Sequence, residues 1–252
     1  MLILVTNDDG IYAPGLAALY QELRRLGKVT VVAPESEQSA VGHAISLNTP
    51  LRVKKAPLAG DGWGWAVSGT PADCVKIALA ELLPEPPDLV VSGINLGPNV
   101  GINVLYSGTV SAATEAAILG VRQAVAVSLD TYKDADFATA ARITGKLLAR
   151  LQEEKPPGEQ LCLNINLPAL PEEAIKGVRL TRQDTGPLVE HFDCRIDPRE
   201  RQYYWLAEIN SRQDLDPDTD YAALQAGYIS ITPLHHDLTH YPSLNDLRGL
   251  EK

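Results

Sequence analysis

The sequence predicts an α/β fold, in which a mostly parallel sheet carries helices on its faces. Over the first half of the chain, short apolar runs alternate with helical patterns, as in such sheets. The chain has 252 residues, of which 45% are hydrophobic, enough for a large core. No internal repeat or low-complexity segment interrupts the pattern. We therefore expect an ordered chain of one domain, spanning residues 1–252.

The first elements follow from local patterns. Leu2 to Thr6 is expected to form a buried strand, and Pro14 suits the first turn of a helix. Apolar residues after Pro14 keep the spacing of one buried helix face: Leu16, Leu19, Tyr20, Leu23 and Leu26. Gly27 should end this helix, and Val29 to Ala33 should form the second strand.

The alternation continues after residue 68. Thr70 is expected to cap a helix that has Pro71 at its first position and runs to about Leu82. Two strands and two helices should complete the core, whose predicted end is residue 155. A third strand (Leu89 to Ser92) and a fourth strand (Ala124 to Leu129) flank an alanine-rich helix (Thr109 to Leu119). An amphipathic helix follows, marked by Phe137, Ala141, Thr144, Leu147, Leu148 and Leu151.

The C-terminal third follows another pattern. Strands are expected at Leu161 to Leu167 and Val178 to Thr181, whereas residues 183–200 have no clean period and precede the β-prone run Tyr203 to Leu206. We interpret residues 183–210 as a protruding segment that packs on another subunit. A hairpin packed on the parent domain explains the pattern equally well. Leu224 to Pro233 then returns to a helix and a strand.

The charge balance excludes some partners. Lys and Arg number 22 against 32 Asp and Glu, and the net charge of -10 would repel a nucleic-acid backbone. The apolar start lacks the basic flank of a signal peptide, and no later run approaches the roughly 18 apolar residues of a membrane span. Three scattered cysteines without a CxxC pair suit a reducing cytoplasm.

Adjacent carboxylates follow the first strand. Asn7, Asp8, Asp9 and Gly10 come where open α/β sheets place their ligands, at the carboxyl end of a strand. The repulsion between Asp8 and Asp9 is relieved most simply by a hard cation, and Gly10 allows a tight turn around it. A solvated Asp-Asp-Gly turn is the alternative.

Later loops bring further candidate ligands to the same edge of the sheet. The loop from Ala33 to Gly42 supplies hydroxyls, among them that of Ser39, and small residues such as Gly42. The loop from Ser92 to Gly101 supplies Asn95 and Asn99, whose amide oxygens suit magnesium or manganese. These asparagines could equally satisfy turn backbone.

A candidate anion-binding site lies at the start of the alanine-rich helix. Ser107, Gly108 and Thr109 lie where free N–H groups and the helix dipole favour a phosphate. An ordinary N-cap would need the same residues, and both roles can hold together.

Seven stretches, in order over nearly the whole chain, resemble the SurE family. They are Val5 to Gly10, Ala33-Pro34 with Ser39, Ser68 to Val75, Ser92 to Asn95 with Gly97 and Asn99, Tyr106 to Val110, Asn164 to Pro168, and Ile229 to Leu234. The resemblance implies a Rossmann-like three-layer α/β/α sandwich. It also implies phosphatase activity on nucleoside 5'- and 3'-monophosphates and at times on short polyphosphate.

The resemblance further implies one divalent metal ion per subunit, Mg²⁺ or Mn²⁺, held by ligands that fall on Asp8, Asp9, Ser39 and Asn95. It implies a homodimer or homotetramer in which the C-terminal part embraces a partner subunit. Glu35 and Glu37 depart from the more basic loop usual in the family, which puts substrate preference in doubt.

We hypothesise that the metal activates a water and polarises the phosphoryl group. Asp8, Asp9 and Asn7 are then the catalytic candidates. The phosphate candidates are Ser107, Gly108, Thr109, Asn99 and Gly42. A covalent aspartyl-phosphate at Asp8 is an alternative, although the Asp-x-Asp spacing of such enzymes is absent.

A nucleotide sensor or a dinucleotide oxidoreductase is the rival from another class. The sequence lacks the GxGxxG loop with which a dinucleotide oxidoreductase binds pyrophosphate, because carboxylates follow the first strand instead. His235, His236 and His240 lack the spacing of a helical zinc site, and the resemblance makes Asp237 and Thr239 structural. Three arginines, Arg195, Arg199 and Arg201, are expected to form a solvated or intersubunit cluster.

Overall fold

The computed structural model describes residues 1–60, 62–154, 160–186, 190–207 and 216–251. The strands are β1 (Leu2–Thr6), β2 (Lys28–Pro34), β3 (Val53–Pro57), β4 (Trp63–Val67), β5 (Leu89–Leu96), β6 (Gln123–Asp130), β7 (Leu161–Pro168), β8 (Val178–Leu180), β9 (His191–Ile196), β10 (Gln202–Ala207) and β11 (Ile229–Leu234). The helices are α1 (Pro14–Leu23), α2 (Pro71–Ile77), α3 (Gly108–Ile118), α4 (Phe137–Glu154), α5 (Asp220–Gln225) and α6 (Tyr241–Leu247). Short 3₁₀ segments lie at Gly101–Leu105, Glu172–Ala174 and Arg248–Leu250.

Nine of the described strands form one sheet, in the order β3-β4-β2-β1-β5-β6-β7-β11-β8. Neighbours run parallel except β3 beside β4 and β7 beside β11. The chain first places β2 on one side of β1, and after β3 and β4 it crosses to the other side of β1 and forms β5. Strand order therefore reverses between β1 and β5, and open α/β sheets bind ligands at the carboxyl ends of strands at such a reversal.

Helices cover both faces of this sheet. In β1, Ile3 and Val5 pack against α1 and α4, whereas Leu4 between them packs against α2 and α3. Because both faces are buried, the central strands are continuous apolar runs without alternation. The predicted three-layer α/β/α sandwich is confirmed.

The start of α2 confirms the predicted cap. Asp73 N donates to Thr70 Oγ1 (3.1 Å) and Thr70 N donates to Asp73 Oδ2 (3.0 Å), which closes a capping box. The end differs from the prediction, because the α-helix stops at Ile77 and continues as a π-helical turn over Ala78–Leu82. Leu83 N closes that turn on Ala78 O (2.9 Å).

The predicted third strand is in fact the fifth, since the sequence analysis missed β3 and β4. β3 is an edge strand on which Lys54 and Lys55 are exposed, so it shows no apolar run. The predicted loop from Ser92 to Gly101 is also partly wrong. β5 continues to Leu96 after an irregularity between Ser92 and Asn95.

The sheet does not end at residue 155, the predicted end of the core, because β7, β11 and β8 continue it. β9 and β10 form a separate antiparallel pair, so residues 183–200 contain a strand that the sequence analysis missed. Residues 187–189 and 208–210 of the predicted protruding segment lie outside the described residues. Arg201 and Arg195 form ion pairs within this hairpin, with Asp197 (2.7 Å) and Asp193 (3.7 Å).

The segment after β11 is held by local contacts. Asp237 Oδ1 accepts from Thr239 N (2.9 Å), a structural role as predicted. The rings of His235 and His236 stack with centroids 4.9 Å apart.

None of the helices that the structure describes has the length and the apolar composition of a membrane-spanning segment.

Packing of α1 on the sheet can be tested with a pair of leucines. Leu16 is fully buried, whereas the Leu47 side chain is 82% exposed. Leu16→Ala should lower the free energy of unfolding by about 2–5 kcal/mol, because it leaves a cavity under α1. Leu47→Ala should change it by less than about 0.5 kcal/mol. Urea denaturation followed by circular dichroism measures both, and equal losses would contradict this packing.

Candidate functional site

A cavity of 520 Å³ opens at the carboxyl edge of the sheet, where strand order reverses between β1 and β5. Most of the candidate residues meet in it. Its walls are formed by Asp8, Asp9, Glu37, Ser39, Ala40, Asn95, Leu96, Gly97, Pro98, Asn99, Asn103, Tyr106, Ser107 and Tyr132. All four metal-ligand candidates and two phosphate candidates, Asn99 and Ser107, are among them. Asn7, Gly42, Gly108 and Thr109 are absent from this wall.

The turn after β1 is held from within by Asn7. This side chain is fully buried, and its Nδ2 donates to Gly10 O (2.9 Å). Its Oδ1 has no hydrogen-bond partner among the residues that the structure describes. The adjoining loop closes on the same turn, since Gln38 N donates to Asp8 O (2.8 Å). Asn7 thus fixes the backbone that carries Asp8 and Asp9 and lies behind the cavity wall.

Asp8 faces the start of α3. The Thr109 hydroxyl donates to Asp8 Oδ1, and the Thr109 backbone N–H also bonds this carboxylate. Burial nevertheless raises the pKa of Asp8 above its ordinary value, against the lowering effect of these bonds. The positive end of α3 therefore holds a carboxylate that would otherwise be costly to bury.

The ionised form of the Asp9 carboxyl is unfavourable in this environment. Burial, followed by the charge of neighbouring Asp8, raises the pKa of Asp9 to about 6, and Glu37 adds a smaller effect of the same sign. None of the described residues that line the cavity is Lys or Arg. The negative charge of this wall is thus uncompensated by any protein cation beside it.

Neutral oxygens complete the candidate metal site. Asn95 Nδ2 donates to Gly97 O (2.7 Å), which leaves the Asn95 Oδ1 oxygen as an acceptor. Ser39 Oγ lies on the exposed loop after β2 and donates to Glu37 Oε1 (2.5 Å). Two carboxylates with amide and hydroxyl oxygens form a donor set that fits Mg²⁺ or Mn²⁺. No group of three or more His, Cys, Asp or Glu suited to a metal occurs among the described residues, so a metal site here would have to include the neutral donors.

Ser107 caps the start of α3 and still has a hydroxyl hydrogen that it can donate to an anion. Ser107 is the N-cap, and its Oγ accepts from Val110 N (3.1 Å). A hydroxyl that accepts one bond can still donate its own hydrogen into the cavity. Gly108 packs closely on Asp8, since a Cβ added there would lie 2.8 Å from Asp8 Cβ. Gly108 and Thr109 therefore contact the carboxylate rather than line the cavity.

Hydrogen bonds with polar side chains of β6 and β7, behind the cavity wall, fix the position of Asn99. Its N–H donates to Asn166 Oδ1 (2.8 Å) and its Nδ2 to Ser128 Oγ (2.8 Å). The Asn99 carbonyl accepts from Asn164 Nδ2 (2.7 Å) and Asn166 Nδ2 (3.1 Å). Asn164 and Asn166 are not among the predicted site residues. Their signal was two asparagines inside a buried strand, which are costly unless hydrogen-bonded.

The loop after β2 is anchored away from the cavity. His43 Nε2 lies 2.6 Å from Glu115 Oε2 on α3, and Lys76 Nζ of α2 lies 3.0 Å from Glu115 Oε1. The hydrogen bond with His43, more than the one with Lys76, lowers the pKa of Glu115. Gly42 N donates to Tyr106 O (2.9 Å), so its N–H is already used. His43 and Gly42 thus secure the loop that carries Ser39, and sequence reasoning missed Glu115.

Comparisons with known proteins find similarity over nearly the whole chain. A family model described as Survival protein SurE matches residues 3–188. A protein named 5'-nucleotidase SurE from Syntrophobacter fumaroxidans is 54% identical over 248 residues, 98% of each chain. One of the same name from Synechococcus elongatus is 45% identical over 261 residues and all of both chains. The crystal structure of the SurE protein from Aquifex aeolicus superimposes with a TM-score of 0.87, at 38% identity and full coverage of both chains.

Replacing Asp9 tests the electrostatics of the pair. A carboxyl whose folded-state pKa is raised, here from 3.8 to about 6, costs stability once it ionises. Metal-free protein should therefore lose stability as the pH rises through this interval. Asp9→Asn should flatten that loss and raise the Tm at pH 7.5 by about 2–4 °C, corresponding to roughly 1 kcal/mol after solvent screening.

Scanning fluorimetry between pH 4 and 8 in a chelating buffer measures this effect. Added Mn²⁺ should raise the Tm of the wild type but not that of Asp9→Asn. Asp246→Asn, an exposed position on α6, is the matched control and should change neither curve. A less stable Asp9→Asn protein at pH 7.5 would refute the interpretation.

Proposed function

The chain belongs to the SurE family, and on that premise we propose that it is a 5'-nucleotidase, a divalent-metal-dependent phosphatase that releases phosphate from nucleoside 5'-monophosphates. Relatives named 5'-nucleotidase SurE, 45% to 55% identical over nearly the whole chain, support the substrate class. The proposal extends to nucleoside 3'-monophosphates and short polyphosphate. The uncompensated pair Asp8 and Asp9 beside the start of α3 is the observation that carries it.

One Mg²⁺ or Mn²⁺ ion per subunit would be held by Asp8, Asp9, Ser39 and Asn95. The two carboxylates need a cation because no lysine or arginine is among the described residues that line their cavity. When bound, the ion supplies Lewis acidity to the phosphoryl group and to the attacking water. It also gives a negatively charged protein a local attraction for a phosphate.

The protein groups would divide the remaining work. Ser107 and Asn99 line the cavity and would donate hydrogen bonds to phosphate oxygens, with Asn99 held rigid by β6 and β7. Asn7, Gly108, Thr109 and Gly42 act indirectly, by fixing the backbone and the carboxylate of Asp8 and the loop of Ser39. A covalent role for Asp8 is disfavoured, since its Oδ1 accepts from the Thr109 hydroxyl and the carboxyl is nearly fully buried.

Phosphate release from AMP, GMP and 3'-AMP tests the proposed activity. Metal-stripped protein should be inactive and should regain activity with Mn²⁺ or Mg²⁺. Asp8→Asn should lose at least about 100-fold in kcat/KM, since it removes a charged ligand next to the phosphate. Asp246→Asn should behave as the wild type.

A nucleotide sensor would give a different result. It would bind AMP stoichiometrically in calorimetry without releasing phosphate under any metal condition. Asp8→Asn protein with full activity at saturating metal would instead remove the carboxylate pair from the chemistry.

The exposed hairpin supports a homodimer or homotetramer. Large apolar side chains lie on both strands of the β9–β10 pair and are at least 40% exposed: Phe192, Ile196, Tyr203, Tyr204, Trp205 and Leu206. Such a surface is large for a monomer and suits burial against a second copy of the chain. In this proposal the β9–β10 pair, which lies within the predicted segment 183–210, protrudes from one domain spanning 1–252.

Light scattering after gel filtration tests the assembly. The wild type should elute as a dimer or tetramer, and Trp205→Ser should shift it toward the monomer because it removes apolar contact area. Trp63→Ser is the matched control, since Trp63 on β4 is 52% exposed and Trp205 is 59% exposed. A monomeric wild type at micromolar concentration would contradict the proposal.

A cytoplasmic location belongs to the same proposal. Cys74, Cys162 and Cys194 are all free, and Cys194 is exposed. An exposed free thiol suits a reducing compartment, because it would be liable to oxidation elsewhere.

A further inference from the structure

Two exposed aromatic side chains line the same cavity as the carboxylates. Tyr106 is 53% exposed and Tyr132 is 72% exposed, and both contribute to the wall that contains Asp8, Asp9 and Ser107. Neither has a part in the phosphate chemistry described above. An aromatic side chain left so open in a polar cavity has apolar area available for a ligand.

The ring of Tyr132 contacts Gly97, the residue directly after β5. A Cβ added to Gly97 would lie 2.5 Å from Tyr132 Cε1, so the ring packs directly on the glycine. Gly97 has a φ of +107°, and its N–H donates to Leu129 O (2.9 Å). The turn carrying Tyr132 is closed by Lys133 N donating to Thr131 Oγ1 (3.1 Å). One side of the Tyr132 ring thus rests on Gly97, and the rest of the side chain stays open to a ligand.

The backbone of Tyr106 is fixed by hydrogen bonds beside the start of α3. It directly precedes Ser107, the N-cap of α3, and its carbonyl accepts from Gly42 N (2.9 Å). Its N–H donates to Asn103 O (3.1 Å). Tyr106 thus directly precedes Ser107, the residue with the proposed phosphate-binding hydroxyl.

Strand spacing sets the separation of the two ends of this cavity. Asp8 follows β1 and Tyr132 follows β6, with β5 between them. Neighbouring strands lie roughly 5 Å apart, so the two positions are separated by about 10 Å across the sheet. A nucleoside monophosphate can span that separation between its phosphate and the far edge of its base.

We propose that Tyr132 and Tyr106 bind the nucleobase of the substrate by contact with its face. The inference rests on the proposed nucleotidase function and names the part of the substrate that the metal site does not hold. Since the described wall has no Lys or Arg, its affinity for the rest of the nucleotide cannot come from cationic side chains. Stacking accepts any base, so both purines should be substrates and should be preferred over pyrimidines, which offer a smaller face.

The test compares AMP with ribose 5-phosphate, which has the same phosphate ester but no base. With Mn²⁺ present, Tyr132→Ala should lower kcat/KM for AMP by about 10-fold and leave that for ribose 5-phosphate unchanged. Tyr132→Phe should retain the AMP activity, because the ring and not the hydroxyl makes the contact. Tyr241→Ala, an exposed tyrosine on α6, is the control.

Ribose 5-phosphate also reports whether each variant is folded. Equal losses for both substrates, or no loss for AMP with both Tyr132→Ala and Tyr106→Ala, would overturn the base-binding role. Failure of the nucleotidase proposal is distinguishable, because the wild type would then release phosphate from neither substrate. Calorimetry would decide the inference in that case: Tyr132→Ala must weaken AMP binding and leave ribose 5-phosphate binding unchanged.

Discussion

The repulsion between Asp8 and Asp9 at the end of β1 is the constraint on which the rest of the site depends. Two half-buried or buried carboxylates side by side are unfavourable without a compensating positive charge. The protein supplies a partial one, since the N-terminus of α3 and the hydroxyl of Thr109 hold Asp8. No Lys or Arg is among the described residues that line the cavity beside Asp9, and burial together with the charge of Asp8 raises the pKa of Asp9.

Rigidity behind the cavity comes from buried polar groups that satisfy one another. Asn99 is bonded by side chains from two neighbouring strands, and Asn7 holds the turn of the carboxylates from inside. The loop with Ser39 has no regular structure of its own, so Glu115 anchors it through His43. Groups on a rigid scaffold can face a ligand without reorganising at each encounter, which is the general requirement for electrostatic catalysis.

The elements that the sequence predicted well are those buried on both faces. β1, β6 and α3 have strong apolar patterns or clear caps, and they lie within one or two residues of their predicted bounds. β3 was missed because exposed lysines on an edge strand break any apolar run. The last part of β5 was assigned to a loop because glycine and asparagine there favour turns, whereas pairing with β6 extends the strand.

The sequence by itself determined which residues follow the strands, and parallel pairing then brings those residues to one edge of the sheet. Asp8, Asp9, Asn95, Asn99 and Ser107 meet there as expected. Only the tertiary structure decided what each side chain contacts. Thr109 bonds Asp8, Asn7 lies behind the wall, and Tyr132 joins it from the far side of β5. Spacing along the chain fixes position on a strand, but side-chain partners depend on which strands and helices pack together.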